Sequence, residues 1–118
     1  MRSTRLDLAA RWQGILVGSI TLVGTDPFIW GERNAPAGYI HMLMVDREHA
    51  RLGLGRSLLE WAERRITRTG QRRARLDCVR TNTHLRAYYE TAGYALVGYH
   101  DFPGNIPSVA LYEKTLSG

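Results

Sequence analysis

The sequence predicts one mixed α/β domain, a central sheet with flanking helices, spanning residues 1–118. Two observations carry that prediction. In Met42 to Ile66 a short apolar run, a glycine-rich turn and a long amphipathic pattern follow one another. On both sides of this stretch lie short alternating or apolar segments bounded by Gly, Pro and Asn, the signature of strands and turns.

Leu6, Leu8, Ala10 and Trp12 alternate with Asp7, Ala9 and Arg11, the period of a half-buried strand. Gln13-Gly14 marks a turn. Ile15 to Val23 then reads as the return strand of a hairpin that stops at Gly24-Thr25-Asp26-Pro27. Pro27 to Gly38 has the composition of a loop, yet Phe28, Ile29 and Trp30 are unusually apolar for one. They either pack on the core or wall a binding pocket.

Tyr39 to Val45 is the central strand, and its continuously apolar end, Met42 to Val45, fits burial on both faces. Leu54, Leu58, Trp61, Ala62 and Ile66 form one helical stripe, which Gly70 closes. Arg73 to Arg80 alternates again: Ala74, Leu76 and Cys78 share one face, Arg75, Asp77 and Val79 the other. Asn82 and Thr83 are good caps for a second helix, whose stripe is Leu85, Tyr88, Tyr89 and Ala92, ended by Gly93. Tyr94 to Tyr99 and Val109 to Lys114 read as two closing strands.

Chemistry concentrates at the turn before the long helix. A helix N-terminus presents N–H groups without internal partners and the positive end of the dipole. Gly53 and Gly55 remove the side chains that would hold a phosphate away from those donors, and Arg51 and Arg56 add charge. Spacing excludes two common phosphate motifs. A Walker loop needs Gly-Lys-Ser/Thr, but the only lysine is Lys114; the dinucleotide fingerprint needs a third glycine where Leu58 stands. A tight strand-to-helix turn would use the same glycines, so the flanking sequence decides.

That flanking sequence resembles the GNAT family of acyl-CoA-dependent N-acetyltransferases. One family motif is a strand ending in Val, then roughly R-G-x-G-x-G/A and a helix starting x-x-L-L. It stands here as Val45 through Arg51-Leu52-Gly53-Leu54-Gly55-Arg56 to Leu58-Leu59. A second, Asn before a helix ending A-x-x-L-Y-E-x-x-G-F, is matched by Asn82-Thr83-His84-Leu85-Arg86-Ala87-Tyr88-Tyr89-Glu90-Thr91-Ala92-Gly93-Tyr94. The resemblance covers roughly Leu6 to Lys114. There are departures: Ala50 stands where many members have Arg or Gln, and Arg51 where many have Gly. The phosphate loop would then lean on backbone donors and on Arg51 itself.

The resemblance implies a GNAT-like mixed sheet with a splayed parallel strand pair. It also implies acetyl-CoA as co-substrate and direct attack of a primary amine on the thioester. Backbone groups of Leu43, Met44 and Val45 would pair with the coenzyme arm; Arg51, Leu52, Gly53, Leu54, Gly55 and Arg56 would hold its pyrophosphate, and Asn82 would bond the arm. Tyr89 matches the tyrosine that protonates the departing thiolate, a phenol being protonated at neutral pH; a packed helix tyrosine is the other reading. His41 sits where some members carry a catalytic glutamate, and an imidazole with a pKa of about 6.5 suits base work. A half-buried strand histidine is equally consistent with it. Asp77 is a second candidate base or amine anchor, or else a partner for an arginine. Asp26 or Glu32 could help recognise a cationic amine; His100, Asp101, Tyr112 and Glu113 are further candidate contacts.

The family's hairpin follows a first strand and two helices that this sequence lacks. Relative to that pattern the sequence reads as N-terminally shortened: either the start is truncated, or this is a minimal version that leaves a sheet edge and the acceptor side open. An open edge invites pairing with a second copy, which makes a homodimer one expectation.

Composition narrows the alternatives. The single cysteine, Cys78, excludes an internal disulfide framework and fits a reducing cytoplasm; in its strand it reads as a small buried residue. No apolar run is long enough for a membrane span, and no paired-ligand spacing points to a metal. The net charge is +5, and fifteen of the sixteen basic residues are arginine. This invites a nucleic-acid reading, but no reader motif or aromatic-basic interleaving supports one. A coenzyme A binding module without catalysis is the other alternative.

Overall fold

The computed structural model describes residues 5–31, 35–45 and 53–117, with the backbone alone for 42–45. Its elements, in chain order, are β1 (Arg5–Trp12), β2 (Ile15–Val23), α1 (Pro27–Trp30), β3 (Gly38–Val45), α2 (Leu54–Arg68), β4 (Arg73–Val79), α3 (Thr83–Thr91), β5 (Ala95–His100) and β6 (Val109–Thr115). The strands form one sheet in the order β1-β2-β3-β4-β6-β5. All neighbours are antiparallel except β3 and β4, the pair that brackets the long crossover through α2.

The main core lies where the period-2 face of the sheet meets the stripes of the two longer helices. Ile20, Leu22, Ile40, Ala74, Leu76 and Cys78 from the sheet pack against Leu58, Leu59, Ala62 and Ile66 of α2 and Tyr89 of α3. Contact at the start of β3 is close enough to require glycine. A Cβ on Gly38 would stand 2.3 Å from Cγ1 of Ile66, well inside van der Waals contact.

A second, smaller core covers the opposite face: Trp30, Ala37, Tyr39, Val109 and Leu111, with Val23, Ile29 and Phe102 packed on it. One element here differs from the sequence reading. Within the expected loop Pro27 to Gly38 lies a single helical turn, α1, started by Asp26, whose carboxylate accepts the Ile29 N–H at 3.4 Å. Pro27 is already fixed in a helical φ and needs no N–H there. Of the three apolar residues, Trp30 is 2% exposed, Ile29 is half-buried and Phe28 is 74% exposed. Two of the three therefore belong to the core, and one points outward.

Among the described residues no helix is long and apolar enough to cross a membrane.

Candidate active site

β3 and β4 pair only at their beginnings. Their ladder joins Gly38 to Ala74 and Tyr39 to Arg75, although β3 runs on to Val45 and β4 to Val79. From Ile40 and Leu76 onward the two strands part, as the expected splay requires. On its other side β3 keeps pairing with β2, with one irregularity. Ser19 faces Met44 and Ile20 faces Met42, so Leu43 is the extra residue of a β-bulge. The backbone of Leu43, Met44 and Val45 thus borders the gap, and the bulge falls at the first of the three residues that the resemblance assigned to the coenzyme arm.

Just past the end of the ladder, three acceptor candidates that the sequence offered separately come together. His41 on β3 and Asp77 on β4 lie two residues beyond Tyr39 and Arg75, so both face the second core's side. Asp26 reaches the same place from the start of α1. One donor atom from each of Asp26, His41 and Asp77 lies within 4.8 Å of the others, and His41 Nε2 is 3.3 Å from Asp26 Oδ2. The hydrogen bond to Asp26 raises the His41 pKa, and Asp26 and Asp77 add to that through their charge, against the effect of burial. Burial raises the pKa of Asp77, and His41 works against it. The two shifts have different origins: a carboxylate partner raises His41 against its burial, and burial itself raises Asp77.

Such a site wants a cation. Acceptors around an ammonium stand about 4.6 Å apart, given N–H···O bonds of about 2.8 Å. A tetrahedral zinc would draw its ligands to about 3.4 Å. The bound of 4.8 Å admits both, and the 3.3 Å between His41 and Asp26 is their own hydrogen-bonded contact.

Tyr89 approaches the gap from the other face. It is 4% exposed on α3, its ring packed against Tyr88, Tyr94 and Tyr112. Burial raises its pKa, and the nearby Cys78 and Asp77 raise it further. Its hydroxyl makes no hydrogen bond to another of the described residues. Asp77 influences both His41 and Tyr89, so the gap between the strands links the two faces at this level. Cys78 is buried and its thiol is pushed up to about 11, mainly by burial, which keeps it protonated and inert at neutral pH.

Along the gap, α2 begins at Gly53 in a left-handed conformation (φ 76°), with no side chain capping the helix. The N–H of Ser57 bonds back to Gly53, so the donors of Leu54, Gly55 and Arg56 are those a helix start leaves for an anion. Arg56 is exposed and Gly55 buried. Arg51 and Leu52, assigned to the same loop, lie outside the described residues, as does Glu32. Asn82 caps α3 through Oδ1, which accepts the Leu85 N–H at 3.1 Å.

Other candidates separate from the cluster. Tyr112 is fully buried on the helix side, bonded to Arg86 and Glu90. Glu113 pairs with Arg75 at 2.7 Å, so the arginine beside Asp77 is taken. Asp101 bonds to Ser108, and the His100 ring meets Phe102. Arg75 is the residue that the sequence reading missed. It is 7% exposed, with Nη1 3.0 Å from the Tyr39 hydroxyl. Its only sequence signal is an arginine between Ala74 and Leu76 in a strand.

These features match known proteins. The model of the Acetyltransferase (GNAT) family matches residues 2–94. The uncharacterized N-acetyltransferase YesJ of Bacillus subtilis is 37% identical over 87 residues, covering 69% of this chain and 48% of that protein. The chain thus spans about half the length of this curated relative. A GNAT acetyltransferase of Elizabethkingia anophelis, solved with acetyl-CoA bound, has a TM-score of 0.71 at 14% identity, over 92% of this chain and 74% of that one. Aminoglycoside 6'-acetyltransferase type Ii has a TM-score of 0.75 at 21% identity, over 97% of this chain and 70% of that one. Both share the fold. The chain belongs to the GNAT acetyltransferase family.

Proposed function

We propose that the chain is an N-acetyltransferase that moves the acetyl group of acetyl-CoA to a primary amine. The observation that carries this reading is the meeting of Asp26, His41 and Asp77 at the mouth of the gap between β3 and β4. The gap accepts an extended coenzyme arm on its bare backbone edge, and the cluster accepts the amine.

The amine arrives as an ammonium, held by Asp26 and Asp77. His41, once neutral, takes a proton from it, and the freed lone pair attacks the thioester carbonyl. A backbone N–H at the Leu43 bulge bonds the oxyanion. The C–S bond breaks as the C–N bond forms, and sulfur leaves with a proton from Tyr89. Because burial raises the Tyr89 pKa, that transfer accompanies C–S cleavage rather than preceding it. The acylated nitrogen gives its second proton to the Tyr89 phenolate, and His41 releases its proton to solvent, which leaves neutral amide and thiol. Much of the rate comes from holding amine and thioester together.

The pyrophosphate lies at the start of α2, on the N–H groups of Gly53, Leu54, Gly55 and Arg56 with Arg51 and Leu52 beside them. Asn82 bonds the arm. Two copies pairing along the outer edge of β1 would form the homodimer.

Calorimetric titration with acetyl-CoA, followed by thiol release on adding amines, tests the reading. Saturable binding with release is the expected result. Tyr89→Phe should keep the binding and lose about 100-fold in turnover. Binding without release for any amine would instead favour a coenzyme-binding module.

A further inference from the structure

Building on that reading, we propose that the acceptor amine carries an aromatic ring, which lies on a shelf made by Phe28 and Phe102. Phe28 follows Asp26 by two residues, so their Cα atoms are at most about 7 Å apart. Its neighbours Ile29 and Trp30 pack into the second core, yet Phe28 stays 74% exposed. One side of its ring stacks on Phe102, with centroids 5.4 Å apart and planes inclined by 27°. The exposure leaves its other side to solvent.

The shelf is held rather than loose. Phe102 packs on the second core and takes the His100 ring edge-on at 4.7 Å. The stack therefore joins α1 to the β5–β6 connection over the face that carries the cluster. The Cα atoms of Asp26 and Phe28 are no farther apart than a two-carbon arylalkyl chain and its ring can span, so an ammonium held at the carboxylates can extend its ring to Phe28. An arylalkylammonium satisfies both at once: charge at Asp26 and Asp77, ring against ring in an offset stack. A short alkylamine uses the charge alone and leaves Phe28 in water.

The test is calorimetric titration of the full chain with 2-phenylethylamine and with butylamine, with and without saturating acetyl-CoA. Phe28→Ala and Asp77→Asn are titrated in parallel. Because Phe28 is exposed, its truncation leaves the core intact. Phenylethylamine should bind roughly tenfold tighter than butylamine, and Phe28→Ala should erase that difference without weakening butylamine. Asp77→Asn should weaken both. Equal affinity for the two amines, binding of neither, or an equal loss of both in Phe28→Ala overturns the shelf. Thiol release on the same samples reports on the reaction separately. Ring-selective binding without release keeps the shelf and removes the acetyltransferase reading; release without ring selectivity does the reverse.

Discussion

The Arg75 guanidinium carbon lies 4.4 Å from the centroid of the Trp30 ring. The same side chain bonds Glu113 and the Tyr39 hydroxyl, so one buried cation ties α1 to β3 and β6. Asp26 starts α1, and through its carbonyl it accepts the Trp30 N–H at 2.9 Å. Arg75 thus helps fix the place of Asp26 through α1. Arg75→Met should cost about 3 kcal/mol, because Glu113 is left largely buried without its partner. Urea unfolding measures the loss, and Arg75→Met with Glu113→Leu should recover part of it. In the catalytic assay Arg75→Met should raise the KM for the amine more than that for acetyl-CoA.

The His41–Asp26 pair makes the protein sensitive to pH in two opposite senses. The hydrogen bond raises the His41 pKa in the folded state. Its contribution to stability is complete below the unfolded value of about 6.5 and fades as pH rises through the folded value. Catalysis needs the neutral imidazole, so kcat/KM should climb over that same interval. Asp26→Asn should move the acid limb of the rate profile to lower pH. It should also cost more stability near about pH 6 than near about pH 9. An unchanged acid limb would remove His41 as the base.

Gly38 sits where β3, β4 and α2 converge. Gly38→Ala places a methyl against Ile66 and should destabilise by about 2 kcal/mol, the range of an overpacked core. Ile66→Ala alone creates a cavity, whereas the two together should cost less than their sum. A double-mutant cycle by thermal unfolding reads that coupling.

Asn82 can be a cap, a coenzyme ligand or both, and two substitutions separate the roles. Asn82→Asp keeps the oxygen that accepts the Leu85 N–H but removes the amide donor. It should retain stability while acetyl-CoA affinity falls. Asn82→Ala should lose about 1 kcal/mol of stability as well. Full affinity in Asn82→Asp would leave Asn82 as a cap alone.

Much of this was legible before folding was considered. The strand at Arg73 showed both faces through simple alternation, and the stripe from Leu54 to Ile66 showed its buried side. The α1 turn was hidden because four residues carry no measurable period. Asp26, His41 and Asp77 each looked like an isolated polar residue, since they lie on separate elements and meet only through the pairing of β3 with β4. Arg75 was hidden for a related reason. A buried arginine is defined by its partners Trp30, Tyr39 and Glu113, none of which is near it in sequence. Phosphate recognition was easier to see, since it depends on local glycines and a helix start.

The end of the β3–β4 ladder at Tyr39 and Arg75 also has a mechanical meaning. Hydrogen bonding divides the sheet into two panels, β1-β2-β3 and β4-β6-β5, stitched by two residue pairs and clasped by α2 and the second core. Among the described strands, backbone pairing is thinnest along this seam. An extended ligand that lies in it closes the seam as a strand would. Its binding should slow amide exchange in both panels, far beyond the atoms it touches, so that the ligand is a structural member of the sheet for as long as it stays.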